Sequence, residues 1–388
     1  MASSLLPFRL DIGERAIADL HGRLDATRWP EIRFDTGWST GTNADVLREL
    51  VRYWRFDFDW FAVQERLNRL SHVRGPIEGD ELHAVVLAGS DLSAGSGSRG
   101  DARIPLLLIH GWPGSFIELI EAGQLLSTGV EHGPAFDVVI PSLPGFGFSE
   151  PPGEAGMHPG RVAERLHLLM QQLGYDRYGV QGGDWGAIVG TRLARQQPEA
   201  VTALHLNFAA GGVPPAEGEE PSDEERETRQ RAQLFSVEET GYQRIQGTRP
   251  QSLGFALNDS PVGLLAWILE KFWAWSDHGD DLWETFDRDD VLANVTLYWL
   301  TGTALSSARI YYEAFHESPP QTAAKVETPT GFARFPAEPW AAARSAVERS
   351  YNLVHWSEMP RGGHFAALEQ PQLFAEDVAA FFGSLPRS

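Results

Sequence analysis

The sequence predicts an α/β fold with a mostly parallel sheet, a helical insertion and a helical N-terminal extension. Three observations predict this fold class. Short apolar segments alternate with amphipathic helical patterns from about residue 104, as in a parallel sheet that is covered on both faces. From Gly212 to Pro320 the pattern is helical and rich in aromatic residues, and strand character returns near Val326. The first seventy residues read as helix.

Two helical patterns define the N-terminal extension. Pro30 limits how far the first helix can run, and Thr42 or Asn43 opens the second. In both, apolar residues recur at the spacing of one helix face. These residues are Ile17, Leu20 and Leu24 in the first, and Leu47, Leu50, Val51 and Trp54 in the second.

The predicted core begins with a hairpin and continues with alternating strands and helices. Two short strands within residues 71–87 flank a turn at Gly79-Asp80, and a Gly/Ser-rich loop follows at 88–103. The next strands are predicted at 104–109, 136–140, 178–181 and 201–208. A loop and a last helix are expected at 364–382.

These patterns divide the chain into four predicted parts. They are a helical extension (1–70), the first part of the core (71–211), a helical lid (212–320) and the second part of the core (321–388).

Composition narrows the classes of partner. The 388 residues suggest two domains or one large domain with insertions. A formal net charge of −21 repels nucleic acid and anionic lipid, so a neutral small molecule is the expected partner. The sequence contains no cysteine, which excludes disulfides, thiolate catalysis and zinc–thiolate sites.

The apolar runs and the N-terminal residues predict a cytoplasmic protein. The longest apolar runs span about six residues, whereas a membrane-spanning helix needs about 20. The first residues show no basic segment followed by an apolar one, so we expect no secretory signal. Lysine occurs only at Lys271 and Lys325 among 32 basic residues, an arginine bias that is typical of GC-rich bacterial genomes.

A glycine-rich turn between the third core strand and its helix carries the strongest chemical signal. Residues 181–186 (QGGDWG) place small residues on both sides of Asp184, which is typical of the nucleophile elbow of α/β hydrolases. The exposed side chain of such an elbow stands at a helix N-terminus, where the backbone dipole stabilises an anion. The alternative interpretation is that Asp184 only caps the helix.

The loop after the first parallel strand indicates an oxyanion hole. Residues 110–115 (HGWPGS) follow that strand directly, and in α/β hydrolases this loop provides one backbone N–H. The residue after the nucleophile provides the other. The two groups would be the main-chain N–H groups of Trp112 and Trp185. We expect His110 to anchor the loop through hydrogen bonds rather than to react.

A histidine in a glycine-rich loop is the expected general base. His364 lies within 361–365 (RGGHF) after the last predicted strand, which is where the base of this fold belongs. It needs an acidic partner that fixes its tautomer, and the spacing leaves both Glu338 and Glu358 open. We expect His205 to be packed inside a strand. Three further histidines have no supporting spacing: His278, His316 and His355.

Five motifs, in this order along the chain, together resemble a microsomal-type epoxide hydrolase. They are HGWPGSF, PSLPGFGFSEPP, GGDWG, PTGFARFPAE and RGGHFAALEQP. Near the N-terminus, TRWP and GWSTGTNADVLRELVRYW resemble that family's N-terminal domain, so the resemblance covers nearly the whole chain. It implies that Asp184 is the nucleophile, His364 the base and Glu338 the acidic partner of that base.

The resemblance also implies two lid tyrosines that hold the epoxide oxygen. GYQRIQGTRP places the first at Tyr242, and SSARIYYEAF places the second at Tyr311, with the adjacent Tyr312 as the alternative. It implies no metal, nucleotide or redox cofactor. The sequence begins without the membrane anchor of mammalian members, so no membrane attachment is expected. It also resembles bacterial members that serve antibiotic pathways in actinomycetes.

The expected reaction is the opening of a bulky or aryl epoxide to a vicinal diol. A carboxylate nucleophile gives an ester, which water can cleave, whereas a serine would give an ether that the enzyme could not hydrolyse. The expected partners are the small-molecule epoxide and water, without nucleic acid or membrane. The oligomeric state, including a homodimer, stays open.

The lid aromatics suggest an aromatic-lined pocket, although packing of the lid on the sheet explains most of them. They are Phe255, Trp267, Phe272, Trp273 and Trp275. We expect Phe255 and Trp267 to contact substrate together with Trp112 and Trp185. The acidic run at 217–227 is expected to be a solvated face or loop.

Two alternative functions stay open from the sequence. A haloalkane dehalogenase also uses an Asp elbow followed by Trp, but needs halide-binding donors instead of two tyrosines. A non-catalytic binding protein could keep the same fold, since fold does not prove activity. The complete set of Asp184, His364 and Glu338 argues against the second alternative.

Overall fold

One sheet of nine strands organises the part of the chain that the structure describes. The structure is a computed structural model and describes residues 4–34, 36–88, 103–131, 133–209, 213, 215, 218–318, 324–340 and 342–386. The strands are β1 (Leu6–Phe8), β2 (Ser71–Ile77), β3 (Asp80–Leu87), β4 (Ile104–Ile109), β5 (Phe136–Pro141), β6 (Tyr178–Gly182), β7 (Val201–Leu206), β8 (Val326–Arg334) and β9 (Tyr351–Glu358). Their order across the sheet is β1-β2-β3-β5-β4-β6-β7-β8-β9.

The sheet is mostly parallel, as predicted. All pairs from β5 to β9 are parallel, whereas β1, β2 and β3 form antiparallel pairs at one edge. The carboxyl ends of the parallel strands therefore meet at one side of the sheet, where α/β proteins bind their ligands.

Helices cover both faces of the sheet and form the lid. The helices of the core are α4 (Ile120–Thr128), α5 (Pro159–Gln172), α6 (Asp184–Gln196), α13 (Arg344–Ser350), α14 (Ala366–Glu369) and α15 (Pro371–Ser384). Phe382 of α15 contacts Gly179 of β6, and Gly190 of α6 contacts Val180 of the same strand. Because successive residues of a strand point to opposite faces, these helices lie on opposite sides of the sheet.

The lid is inserted between β7 and β8 and rests on the N-terminal helices. The lid helices are α7 (Asp223–Glu238), α8 (Gly241–Thr248), α9 (Pro250–Asp259), α10 (Pro261–Trp275), α11 (Arg288–Thr301) and α12 (Ala304–Phe315). The N-terminal helices are α1 (Glu14–Asp25), α2 (Ala44–Phe56) and α3 (Trp60–Leu67). Trp54 of α2 donates its indole N–H to the Thr296 hydroxyl of α11 at 2.8 Å, and neither side chain is accessible to solvent.

The predicted helical character of the first seventy residues needs one correction. Leu6–Phe8 is a strand that pairs with β2 at the edge of the sheet. Pro7 disfavours a helix interior and fits an edge strand, where one side of the backbone needs no partner. Between the two helix openers that the sequence left open, Asn43 is the N-cap of α2, and its side chain accepts from the N–H groups of Asp45 and Val46.

The predicted hairpin is present, but its turn lies one residue earlier than expected. Glu78 and Gly79 form the turn with φ angles of 49° and 99°, and Asp80 already belongs to β3. A two-residue hairpin of this kind requires a positive φ at both central positions.

Several sequence predictions fall partly outside the described residues. The Gly/Ser-rich loop lies there except at its two ends, as do the predicted boundaries between core and lid and the first residue of the acidic run, Glu217. Most of the acidic run that is described is solvated. Glu225 is the exception, because it is buried in an ion pair with Arg349 of α13.

In the described part of the chain, no single helix has the length and apolar composition needed to cross a bilayer. Helices α9 and α10 reach that length and composition only as a pair, and they are bent by 116° at the break between them.

Replacing Trp54 with Phe is expected to weaken the joint between extension and lid. The change leaves the buried Thr296 hydroxyl without its donor, which costs about 1–3 kcal/mol. Urea unfolding measures the loss. The exposed Trp29 provides the control Trp29→Phe, which we expect to be neutral. The double variant Trp54→Phe with Thr296→Val leaves no hydroxyl unpaired, so it is expected to lose less stability than Trp54→Phe alone. Equal losses of unfolding free energy in the two variants would contradict the role of the hydrogen bond.

Candidate active site

The elbow at the end of β6 places Asp184 at the carboxyl side of the sheet. Asp184 has a φ of 47°, an unusual conformation for a residue other than glycine, and it opens α6. Gly186 permits the close packing behind it, since a Cβ there would lie 1.9 Å from the Ile109 carbonyl oxygen. Strain of this kind persists only where the surrounding structure enforces it, and it is typical of functional residues.

The loop after β4 holds one oxygen of this carboxylate. The Trp112 backbone N–H donates to Asp184 Oδ1 at 2.8 Å. Two lid side chains hold the loop in turn: Asn294 Nδ2 donates to the Pro113 carbonyl at 2.8 Å, and the Tyr298 hydroxyl donates to the Gly114 carbonyl at 2.7 Å. The position of the Trp112 N–H suits an oxyanion hole. That the Trp185 N–H is its second donor remains a prediction.

His110 sits where a loop anchor is expected. Its imidazole is buried, and its Nε2 accepts the N–H of Leu143 at 3.2 Å. Burial lowers the pKa of His110 to about 4, so the ring stays neutral at pH 7.

His364 bridges Asp184 and Glu338. Its Nε2 lies 3.5 Å from Asp184 Oδ2, and its Nδ1 lies 2.8 Å from Glu338 Oε2. The second oxygen of Glu338 accepts the Trp340 N–H at 3.0 Å, which fixes the carboxylate. Glu358, the rival candidate, is exposed and pairs with Arg334 instead.

The two carboxylates determine the charge of the imidazole. Burial by itself lowers the pKa of His364, but the Glu338 charge and the hydrogen bonds to Asp184 and Glu338 outweigh it. The pKa of His364 is therefore held well above its ordinary value. The raised pKa favours the cationic form of the imidazole.

A network of backbone hydrogen bonds joins the His364 loop to the end of lid helix α10. The His364 N–H donates to the Trp275 carbonyl at 2.8 Å, and the Gly362 N–H donates to Asp277 Oδ2 at 2.7 Å. Three backbone N–H groups donate to the Glu369 carboxylate: those of Asp277 (2.8 Å), Gly363 (2.9 Å) and Phe365 (2.9 Å). The base is thus positioned from the lid as well as from the core.

Tyr242 of α8 and Tyr311 of α12 meet above the nucleophile. Their ring centroids lie 5.8 Å apart, and a hydrogen bond joins their side chains. Tyr242 stacks on Trp112 at 5.2 Å, and Tyr311 packs edge-on against Trp185 at 4.7 Å. Burial raises the pKa of both phenols, and the Asp184 charge raises it further, so both hydroxyls are protonated donors.

Tyr312, the alternative to Tyr311, lies elsewhere. Its ring stacks at 4.0 Å on His316, the residue that follows the end of the helix. Of the two adjacent tyrosines, the structure therefore brings only Tyr311 to the site.

One predicted substrate contact needs correction, because Phe255 is 71% exposed on α9. Trp267 donates its indole N–H to Gln246 at 2.9 Å, and its contact with substrate stays a prediction. The lid aromatic that reaches the site is Trp275, whose ring centroid lies 4.9 Å from that of His364 and 5.1 Å from that of Tyr242. Trp275 is the last residue of α10 and lies on its buried face.

The remaining histidines have structural partners. Asp377 binds both His205 and His355 at 2.9 Å, and His278 bonds to the carbonyls of Trp273 and Gly279. Among the described residues, no group of three or more His, Cys, Asp or Glu is arranged to hold a metal ion.

Comparison with known proteins identifies the family. Residues 5–119 match the family model for the epoxide hydrolase N terminus, and residues 104–266 match that for the alpha/beta hydrolase fold. Epoxide hydrolase 1 of Oryctolagus cuniculus is 36% identical over 99% of this chain and 90% of its own length. The chain belongs to the microsomal-type epoxide hydrolase family.

Other relatives of this epoxide hydrolase extend the match to bacteria and to solved structures. A sequence from Stigmatella aurantiaca is 41% identical over 98% of this chain and 85% of its own length. The juvenile hormone epoxide hydrolase of Bombyx mori superposes with a TM-score of 0.85 at 32% identity, covering 98% of this chain and 94% of that one. Aspergillus niger epoxide hydrolase also gives 0.85 at 32% identity, covering 98% and 96%. These relatives favour an epoxide hydrolase over the haloalkane dehalogenase that the sequence left open.

Three side chains of this epoxide hydrolase site were not singled out from the sequence. Glu118 lines the cavity beside Asp184, Lys271 places its ammonium 4.5 Å from the Tyr242 ring centroid, and Glu369 holds the His364 loop. Glu118 interrupts a short apolar helix, and Lys271 with its ion-pair partner Glu270 interrupts the otherwise apolar α10. A charge in such a segment is a signal of a buried polar role, because an unpaired charge is costly to bury.

Replacing Asp184 with Asn is expected to lower the pKa of His364. The change removes the charge and hydrogen bond that Asp184 contributes, whereas burial and Glu338 remain. Titration of the imidazole by NMR measures the shift, with His364→Gln to assign the signal. An unchanged pKa in Asp184→Asn would mean that Glu338 alone sets the charge of the ring.

Proposed function

We propose that this enzyme opens a bulky or aryl epoxide to a vicinal diol through a covalent ester on Asp184. The arrangement that carries the proposal is a carboxylate with one oxygen held by the Trp112 N–H and the other facing His364. Two phenol donors stand above it on the lid. Nucleophile, base and donors to the leaving oxygen are thus within one site.

In the first half-reaction, the free oxygen of Asp184 attacks a ring carbon. The C–O bond of the epoxide breaks, and its electron pair stays on the ring oxygen. The hydroxyls of Tyr242 and Tyr311 donate hydrogen bonds to that oxygen as its charge develops, which stabilises the transition state rather than the substrate. Because Trp112 holds Oδ1, the attacking atom is Oδ2 and Oδ1 becomes the ester carbonyl oxygen.

The charge of His364 balances the protons of the cycle. The resting imidazolium supplies the proton that the opened ring needs, and the tyrosine hydroxyls pass it on. Esterification removes the Asp184 charge that helps to raise the pKa of His364, so the neutral imidazole is then a base. No proton is gained or lost overall.

In the second half-reaction, water attacks the Asp184 carbonyl carbon and His364 takes one of its protons. The Trp112 N–H stabilises the resulting oxyanion on Oδ1, together with the N–H of Trp185. When the tetrahedral intermediate collapses, the bond to the diol oxygen breaks. His364 gives that oxygen a proton and takes the second proton of the attacking water, so the Asp184 carboxylate and the imidazolium are restored. Glu338 keeps the ring oriented and stabilises its cationic form.

The substrate class follows from the walls of the site. Trp112, Trp185, Trp275 and the two tyrosines surround the nucleophile with aromatic rings, which suits an apolar or aryl epoxide. The net charge of −21 disfavours anionic substrates.

The covalent ester provides the main test. We expect His364→Gln to accumulate protein alkylated at Asp184, because the nucleophile remains while the base is lost. Asp184→Asn is expected to form neither adduct nor diol. Intact-mass analysis after mixing with styrene oxide measures both. His278→Gln, a change on a histidine outside the site, is the control and should turn over without an adduct.

A single turnover in H₂¹⁸O gives the contradicting outcome. In the proposed cycle the first diol receives its new oxygen from Asp184, so it is unlabelled. A labelled diol in the first turnover would mean that water attacks the epoxide directly.

The adjacent tyrosines of α12 provide a matched pair for the proposed donors. Tyr311→Phe is expected to slow alkylation by about 10²-fold, since one donor to the developing charge is lost. Tyr312→Phe is expected to leave alkylation unchanged, because its ring stacks on His316. Stopped-flow tryptophan fluorescence measures the alkylation step. Equal effects of the two substitutions would contradict the assignment of Tyr311.

A further inference from the structure

Glu118 brings a second carboxyl group next to the nucleophile. It lies in the short 3₁₀ helix Phe116–Leu119 that follows the Trp112 loop, where its neighbours are buried apolar residues. The proposed cycle of Asp184, His364 and Glu338 gives it no part. Placing a carboxyl group among buried apolar residues costs free energy unless hydrogen bonds compensate it, so its presence suggests a function.

The carboxyl group of Glu118 borders the same small cavity as the nucleophile and the base. The cavity has a volume of about 30 Å³, and Glu118, Asp184 and His364 all line it. A cavity needs roughly 10–15 Å³ and two to four polar partners to hold a water molecule. This one therefore has room and partners for an ordered water.

The cavity lies away from the side where the epoxide is expected. Neither Tyr242 nor Tyr311 lines it, whereas Gly111, Gly114 and Gln181 do. A molecule in this cavity thus reaches Asp184 without passing the two phenols. Water placed there can approach the ester while the opened substrate still occupies the lid side.

The surroundings of Glu118 keep its carboxyl group in place and neutral. Burial raises its pKa to about 8, and the Asp184 charge adds to the rise, while the nearby His364 charge and the N–H groups of Gly111 and Ser115 lower it. The group is therefore mainly protonated at pH 7. It also fills the space over Gly114, where a Cβ would lie 1.6 Å from Glu118 Oε2.

We propose that Glu118 is a further catalytic residue, which orients the water that hydrolyses the Asp184 ester. The inference rests on the proposed covalent cycle. Water donates one O–H to His364 Nε2 and the other to the carbonyl oxygen of Glu118. With both hydrogens engaged, a lone pair of the water is directed to the carbonyl carbon of Asp184.

The step needs no net proton transfer to Glu118. The water oxygen forms a bond to the ester carbon, His364 takes one proton, and the second proton stays on the new oxygen. Collapse of the intermediate breaks the bond to the diol oxygen, which takes the proton held by His364. The remaining proton of the new carboxyl group then passes to His364, which restores the Asp184 carboxylate and the imidazolium. A neutral Glu118 neither repels the Asp184 carboxylate nor competes with it as a nucleophile.

Three substitutions separate this role from a structural one. Glu118→Leu removes the acceptor and Glu118→Asp withdraws it, so both are expected to slow ester hydrolysis by about 10²-fold. Glu118→Gln keeps a carbonyl oxygen in the same place and is expected to hydrolyse at close to the wild-type rate. Alkylation is expected to be unchanged in all three. Stopped-flow fluorescence with styrene oxide separates the two steps, and intact mass quantifies the ester.

Glu121 provides the matched control. It is exposed one turn along the chain, so Glu121→Gln is expected to change neither step. Thermal unfolding shows whether each variant folds. If Glu118→Leu does not fold, the hydrolysis rates of Glu118→Asp and Glu118→Gln decide whether Glu118 orients the water. Equal loss of alkylation and hydrolysis, or hydrolysis in Glu118→Gln as slow as in Glu118→Asp, would overturn the proposal.

Failure of this inference is distinguishable from failure of the proposed function. If the wild type and the His364→Gln variant carry no ester with any epoxide, the covalent cycle is wrong and the role of Glu118 falls with it. If the ester forms and its hydrolysis rate is the same in wild type, Glu118→Asp and Glu118→Gln, only the role of Glu118 is overturned.

Discussion

The site depends on one imidazole held between two carboxylates. His364 lies 2.8 Å from Glu338 on one side and 3.5 Å from Asp184 on the other, and both raise its pKa against the effect of burial. Of these two carboxylates, only Asp184 changes its charge during the proposed cycle. Esterification therefore acts directly on the basicity of the ring: the imidazole is a proton donor while the nucleophile is free and a base once the nucleophile is alkylated. A more distant base would not respond in this way, because charge interactions weaken with separation and with exposure to solvent.

This geometry requires the loops of the core to be fixed, and the lid provides much of that support. Lid helix α11 holds the loop of Trp112 through Asn294 and Tyr298, and the end of α10 is joined to the loop of His364 through hydrogen bonds to Glu369. The N-terminal helices support α11 from behind through the buried bond between Trp54 and Thr296. The extension, the lid and the catalytic loops thus form one chain of contacts. In such an arrangement a change in the extension alters the site without touching substrate.

Residues that act through local sequence could be predicted, whereas those that act through tertiary contacts could not. The elbow around Asp184 and the loop of His364 have a local pattern of glycines, and the alternation of strands and helices fixed the sheet. The choice between Glu338 and Glu358 needed the family resemblance, since spacing says nothing about which acid meets the imidazole in space. Composition also misled: Phe255 is as aromatic as its neighbours but points to solvent. The direction in which a side chain leaves its helix, rather than its residue type, decides whether it reaches the substrate.

The two sides of the Asp184 carboxylate have different chemistry, and this difference separates the two half-reactions. On the lid side, aromatic rings and the phenols of Tyr242 and Tyr311 surround the position of the leaving oxygen. On the core side, His364 and Glu118 line a small cavity together with apolar residues. The lid side must adapt to the shape of the substrate, while the core side handles only water and an ester bond, whatever the epoxide. We therefore expect substitutions in the lid aromatics to change which epoxides are opened without disturbing hydrolysis, because in the proposed cycle the groups that orient water, His364 and Glu118, belong to the core.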